Sequence, residues 1–179
     1  MKNTILLITL IFSISAFSQK SYETYTGGDI DIDVENGEVY VEIEDIGLVL
    51  TRKARNEYVE FLKECLVKGA EWDSIAISNN IDDMELKFYG ELELEGYFEY
   101  GGWRFGTTHA KLVFVRGDGE TNLYMYYSEM VASDNQFMES EAGLLTLNED
   151  LLKDLESKLS DENIDAFVKS NNDKNDLFK

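Results

Sequence analysis

The stretch DIDIDVENGEVYVEIE, residues 29–44, decides the fold. Apolar and polar residues alternate on both sides of Asn36-Gly37. Asn-Gly is the strongest short signal for a two-residue hairpin, because a type I′ turn needs positive φ at both central positions. Closing the turn there pairs Val34 with Val39, Ile32 with Val41 and Ile30 with Ile43. All six apolar side chains then share one face of the pleat. The other face sets Asp31 opposite Glu42, Asp29 opposite Glu44 and Asp33 opposite Tyr40. A hairpin this one-sided needs a covering layer, which the following residues supply.

Gly47 to Leu50 reads as a third strand, and Thr51 is placed to cap a helix running to Ala76 or Ser78. Ala54, Tyr58, Phe61, Leu62, Cys65, Gly69, Trp72 and Ala76 form an apolar stripe at helical spacing. Gly69 costs about 1 kcal/mol relative to alanine inside a helix and marks where this one would kink or break. Upstream, Tyr22 to Tyr25 adds a short first strand.

Residues 84–145 read as a β-meander. Met84, Leu86 and Phe88 share a parity with Leu92, Leu94 and Phe98, which fits either one long bent strand or a hairpin about Gly90. A two-residue turn at Gly101-Gly102 sets Phe98 beside Phe105 and Glu99 beside Arg104. Trp103 and Phe105 differ in parity from Leu112 and Phe114, which calls for a bulge at Gly106. Asp118-Gly119 makes a further turn, pairing Phe114 with Leu123 and Leu112 with Met125. A polar segment, Ser133 to Glu141, precedes a strand at Gly143 to Leu145. Thr146 and Glu149 then read as a capping box ahead of Leu151, Leu152, Leu155 and Leu159. Ser160 opens a last short helix through Phe167, and residues 169–179 read as a polar, frayed tail. The expected fold is a single α+β domain over residues 19–168. It has a mostly antiparallel sheet of about seven strands, with one long helix and the C-terminal helices packed on one face.

Lys2, the apolar run Ile5 to Phe17 and the small residues Ala16 and Ser18 have the form of a cleaved secretory signal. Export to the periplasm or the extracellular space follows as the expectation, with the mature chain starting near Gln19. No other apolar run is long enough to span a bilayer, so membrane insertion is not expected. A single cysteine allows no internal disulfide, and the lack of proline argues against a string of domains joined by rigid linkers. The 36 acidic against 16 basic residues, a net charge of −20, oppose binding to nucleic acid and favour cationic partners or simple solubility.

No catalytic motif is present. His109 is the one histidine, and it lies beside Thr107 and Thr108 on a strand. Cys65 falls within the apolar helix stripe, where a thiol behaves as a small hydrophobe. One cysteine and one histidine cannot fill a structural zinc site without carboxylates, and no cofactor motif appears. Carboxylates are the abundant reactive type. Residues 21–51 hold nine acids and no lysine or arginine. Like charges directly across a strand pair destabilise it, so Asp29, Asp31, Asp33, Glu42 and Glu44 break local consistency. Such conflicts mark function more often than chance.

Three accounts of that face stand side by side: docking of a basic protein, a weak Ca²⁺ site of hard oxygen ligands, and edge-strand charge that blocks aggregation. A carboxylate-based extracellular hydrolase is the rival class. Arg52, Lys53 and Arg55 cluster at a helix N-terminus, either as an anion site or as compensation for the acidic hairpin. Tyr97, Tyr100, Trp103, Tyr124, Tyr126 and Tyr127 either line a sugar- or peptide-binding sheet face or fill an aromatic core. The function expected from all this is a non-catalytic binding or accessory protein with a strongly acidic surface.

Overall fold

A computed structural model describes residues 30–35, 38–43 and 46–176. The described residues form an antiparallel sheet of nine strands with three helices, an α+β domain. The strands are β1 (Ile30–Glu35), β2 (Glu38–Ile43), β3 (Ile46–Leu50), β4 (Met84–Glu99), β5 (Trp103–Gly117), β6 (Glu120–Tyr127), β7 (Val131–Ala132), β8 (Asn135–Glu139) and β9 (Gly143–Thr146). The helices are α1 (Arg52–Ser78), α2 (Glu149–Lys158) and α3 (Asp161–Asp176). The sheet runs β1-β2-β3-β4-β5-β6-β9, with β7 and β8 added alongside the start of β5. The short first strand expected at Tyr22 to Tyr25 and the signal segment lie outside the described residues.

β1 and β2 pair in the register dictated by the Asn-Gly turn: Val34 with Val39, Ile32 with Val41, Ile30 with Ile43. Their apolar face joins Leu48 and Leu50 of β3, Leu112 of β5, Met125 of β6 and Leu145 of β9 in one core. Helix α1 covers that face. Thr51 Oγ1 accepts from the Ala54 N–H at 3.3 Å, and Tyr58, Leu62 and Cys65 are fully buried. Burying a side chain the size of Leu62 contributes roughly 1.5–3 kcal/mol. The helix runs through Gly69 without a break, because that residue serves packing. A Cβ there would come within 2.4 Å of a Leu123 methyl, so glycine lets α1 press onto β6. Tyr58 and Tyr127 meet inside the core with their hydroxyls 2.5 Å apart, so each buried phenol finds a partner.

Residues 84–99 form one long strand, as the first of the two readings had it. The strand does not keep one parity. A bulge between Tyr89 and Leu92 inserts an extra residue on β4, at Gly90, whose φ is +65°. Tyr89 therefore pairs with inward Leu112 and stacks on Trp72, while Phe88 faces out and is 58% exposed. β5 holds its own parity throughout, with Ala110, Leu112 and Phe114 inward and Trp103 and Phe105 outward. The expected bulge at Gly106 does not exist; Gly106 pairs in register with Gly96. The Gly101-Gly102 turn is one residue longer than expected. Gly101 (φ +62°) and Gly102 (φ +135°) follow Tyr100 in the loop, and the ladder pairs Glu99 with Trp103 and Tyr97 with Phe105. At Asp118-Gly119 both residues have positive φ, and Phe114 pairs with Leu123 and Leu112 with Met125, as expected.

The polar segment 133–141 is structured. It carries β8, which returns along β7 and raises the count from seven strands to nine. The α2 cap is Asn148 rather than Thr146. Thr146 is still paired with Tyr124 in the sheet, so Asn148 is the first residue free to turn its side chain onto the Leu151 N–H, at 2.8 Å. The last helix continues past Phe167 to Asp176, with no glycine or proline in that stretch to stop it. A polar lock ties α1 to the far end of the sheet. The Arg116 guanidinium, 7% exposed, donates to Asp73 at 2.6 Å, Thr121 at 2.7 Å and the Ile81 carbonyl at 2.7 Å. Among the described residues, no helix is long and apolar enough to cross a membrane.

Candidate functional site

The sheet face opposite the helices has no covering layer among the described residues. Ladder pairings set its residues in rows running across the strands. One row reads Asp31, Glu42, Gly47, Tyr97 and Phe105 from β1 to β5. The next reads Asp33, Tyr40, Val49, Glu95 and Thr107. Strands lie about 4.8 Å apart, so each row spans roughly 19 Å. In the first row acids occupy the β1–β2 end and rings the β4–β5 end, while in the second Tyr40 stands on β2 and Glu95 on β4.

The rings form a connected group. Tyr40 and Tyr97 meet edge to face across β3 with centroids 5.8 Å apart, and Tyr97 contacts Trp103 at 5.4 Å. Phe105 lies 6.5 Å from Tyr40. Gly47 makes this arrangement possible. A Cβ there would stand 2.9 Å from the Tyr97 ring and 2.5 Å from its carbonyl oxygen. Trp103 is 62% exposed and Phe105 47%, so the apolar surface is open to solvent.

The acids impose a negative field on the rings. Burial, then the charges of Glu42, Asp31 and Asp33, push the Tyr97 hydroxyl up to about 12, because a phenolate there would be desolvated and repelled. Tyr40 is raised in the same direction by burial and then by Glu38 and Glu35. Among the described residues, Asp31, Asp33, Glu42 and Glu95 take part in no ion pair. Asp73, Asp134, Glu156 and Asp161, by contrast, hold cations.

Asp31, Asp33 and Glu42 thus lie together on the exposed face, in the expected register. Asp29 and Glu44 fall outside the described residues. Among those that are described, no three histidine, cysteine or carboxylate side chains are grouped to hold a metal ion. Arg52 and Arg55 sit elsewhere, at the start of α1, and the anion they hold is the chain's own Asp161. Arg55, 6% exposed, also donates to the Leu159 carbonyl at 2.6 Å, so it ties α1 to the α2–α3 junction. Lys53 pairs with Glu57 at 3.2 Å.

His109 Nδ1 lies 3.2 Å from Glu91, on the sheet face opposite α1, which carries Cys65. Cys65 is fully buried, and burial pushes its thiol up to about 12, which suppresses the thiolate. A cleft of about 240 Å³ between α1 and α2 is lined by Arg55, Glu60, Lys63 and Glu156, and Lys63 bridges the two acids at 2.7 and 2.8 Å. Of the aromatic residues singled out by sequence, Tyr97 and Trp103 join the exposed group, whereas Tyr127 belongs to the core. Tyr40, Phe105 and Glu95 escaped that reading. Tyr40 was already placed opposite Asp33, but its meeting with Tyr97 depends on the β2-β3-β4 register, which no local motif encodes.

Searches of known protein families, curated proteins and solved structures give no match to this chain.

Proposed function

We propose that this is an exported, non-catalytic binding protein whose uncovered acidic sheet face docks a basic protein partner. The observation that carries this reading is the set of unpaired carboxylates Asp31, Asp33 and Glu42 on one open face. Most of the described lysines and arginines pair with acids elsewhere in the chain, and Lys87 lies over the Trp72 ring. Opposed like charges destabilise a strand pair. A face that retains them while cations are placed elsewhere is suited to receive charge from outside, with association steered by the field. A hydrolase would need two carboxylates set in a cleft with an environment that separates their pKa values. Asp31 and Glu42 lie instead on an exposed strand surface.

The test compares two variants of equal net charge against a lysine-rich peptide at low salt. Asp31→Asn/Glu42→Gln removes two charges from the face; Glu64→Gln/Asp165→Asn removes two from exposed helical positions. The face variant is expected to bind several-fold more weakly while the helix variant stays near wild type. Equal weakening in both would reduce the effect to net charge and contradict a docking face. The export part is tested by a fusion of residues 1–20 to a reporter, expected to be secreted with cleavage near Gln19.

A further inference from the structure

The rings on the uncovered face have no part in the packing of the core, and their position beside the acids is what gives them meaning. Trp103 and Phe105 are exposed on β5, and Tyr40 and Tyr97 are only half-buried on the neighbouring strands. Large rings left open on a charged surface mark contact sites more often than scattered aliphatic residues do. Here three of the four rings have a carboxylate beside them. Glu99 is paired with Trp103, Glu95 stands one row from Tyr97 on the same strand, and Asp33 is opposite Tyr40.

A ring face attracts a cation through its quadrupole, and a neighbouring carboxylate adds charge and a hydrogen-bond acceptor. The molecule uses this chemistry internally. The Lys68 and Lys87 ammonium groups lie 5.8 and 5.3 Å from the Trp72 ring centroid. Among the described residues, no cation of the chain lies over Tyr40, Tyr97, Trp103 or Phe105.

We infer that the Tyr40, Tyr97, Trp103 and Phe105 platform is an arginine-reading subsite, and that the partner is a protein segment presenting arginine side chains across the strands. This rests on the docking reading above and specifies it. Guanidinium is favoured over ammonium because it is planar, stacks on rings and can still fork onto a carboxylate in its own plane, whereas an ammonium is a compact and strongly hydrated point charge. The geometry also fixes how such a segment engages. In the row that runs from Asp31 to Phe105, the acid end, midway between β1 and β2, lies three strand spacings from the ring end between β4 and β5, about 14 Å. An extended segment crossing the strands meets carboxylates at one end and rings at the other, so at least two cationic side chains are held at once. A neutral polysaccharide would use the same rings, but it gains nothing from Asp31, Asp33 and Glu42.

The test titrates the purified protein with two peptides of equal length and charge, one carrying four arginines and the other four lysines, at low salt. A neutral oligosaccharide serves as a third probe. The arginine peptide is expected to bind at least threefold more tightly. Trp103→Leu and Tyr97→Leu are each expected to weaken it two- to fivefold, the range for an exposed cation–π contact. The same variants should leave the lysine peptide nearly unchanged, so the ratio moves toward one. Trp103 is exposed, and Trp72 fluorescence with far-ultraviolet circular dichroism verifies the fold of its variant.

Equal binding of both peptides, unaffected by either substitution, would overturn the arginine subsite and leave the acidic docking face standing. Failure of both peptides to bind would remove the docking reading as well. Binding of the oligosaccharide, abolished by Trp103→Leu, would assign the rings to sugar and overturn this inference.

Discussion

Asp31 and Glu42 face each other in a strand pair where lysine or threonine would have been cheaper. Neutralising both, in Asp31→Asn/Glu42→Gln, should raise stability by several tenths of a kcal/mol, up to about 1. Urea unfolding at low salt measures this, and the gain should shrink at high salt, where screening already relieves the repulsion. A variant no more stable than wild type would mean the two carboxylates do not share a face. Tyr97 reports the same field through its proton. Its hydroxyl is pushed up to about 12 from an ordinary value near 10, first by burial and then by the acids. The fold therefore favours the protonated ring. That stabilisation is complete below pH 10 and is lost as the pH rises from 10 toward 12. Tyr58 and Tyr127, raised by burial, act in the same direction. Spectrophotometric titration should show a late group of tyrosines ionising above the ordinary phenol range, together with unfolding. A single transition near pH 10 in the intact fold would contradict the placement of Tyr97, Tyr58 and Tyr127.

At the scale of elements, the β1–β2 register and the Asp118-Gly119 hairpin were readable and the β4–β5 pairing was not, for one physical reason. Asn36-Gly37 and strict alternation act within sixteen residues, so turn and pleat agree on a single register. On β4 an extra residue at Gly90 reverses the parity, and the loop at Gly101 holds three residues where two glycines suggested two. Each shift is one residue, and each moves side chains to the opposite face. Sequence parity accordingly set Phe105 beside Phe98 and grouped Phe88 with Leu92 and Leu94, whereas the pairing turns Phe88 and Phe105 outward. The acids, and Tyr97 and Trp103 as rings for a sheet face, were legible from sequence, while the addition of Tyr40 and Phe105 to that group was not. Gly69 was misleading in a related way: it marks a close approach to Leu123 rather than a break.

The Arg116–Asp73–Thr121 lock is a second feature that only the fold assembles, since its members come from three elements. Asp73→Ala leaves the Arg116 guanidinium short of its charged partner and should cost about 2 kcal/mol. Denaturation measures the loss, and faster native labelling of Cys65 should accompany it, because opening of α1 exposes that thiol. Unchanged stability would show that Thr121 and the Ile81 carbonyl suffice.

For the whole molecule, the division of labour is between two sheet faces. One is covered by α1 and the C-terminal helices and holds the core. The other stays open and carries unpaired acids beside exposed rings. The net charge of −20 is uneven in its use: the lysines and arginines of the helices bridge acids such as Glu57, Glu156 and Asp161, while Asp31, Asp33 and Glu42 on β1 and β2 hold no cation among the described residues. Location is therefore the central claim, and chemical-shift mapping of an arginine peptide on the isotopically labelled protein tests it most directly. Shifts should concentrate on Asp31, Asp33, Tyr40, Glu42, Tyr97 and Trp103, fade with added salt, and leave the exposed side of α1 unmoved. Shifts centred on the helices, or spread evenly over every acidic surface, would contradict the account.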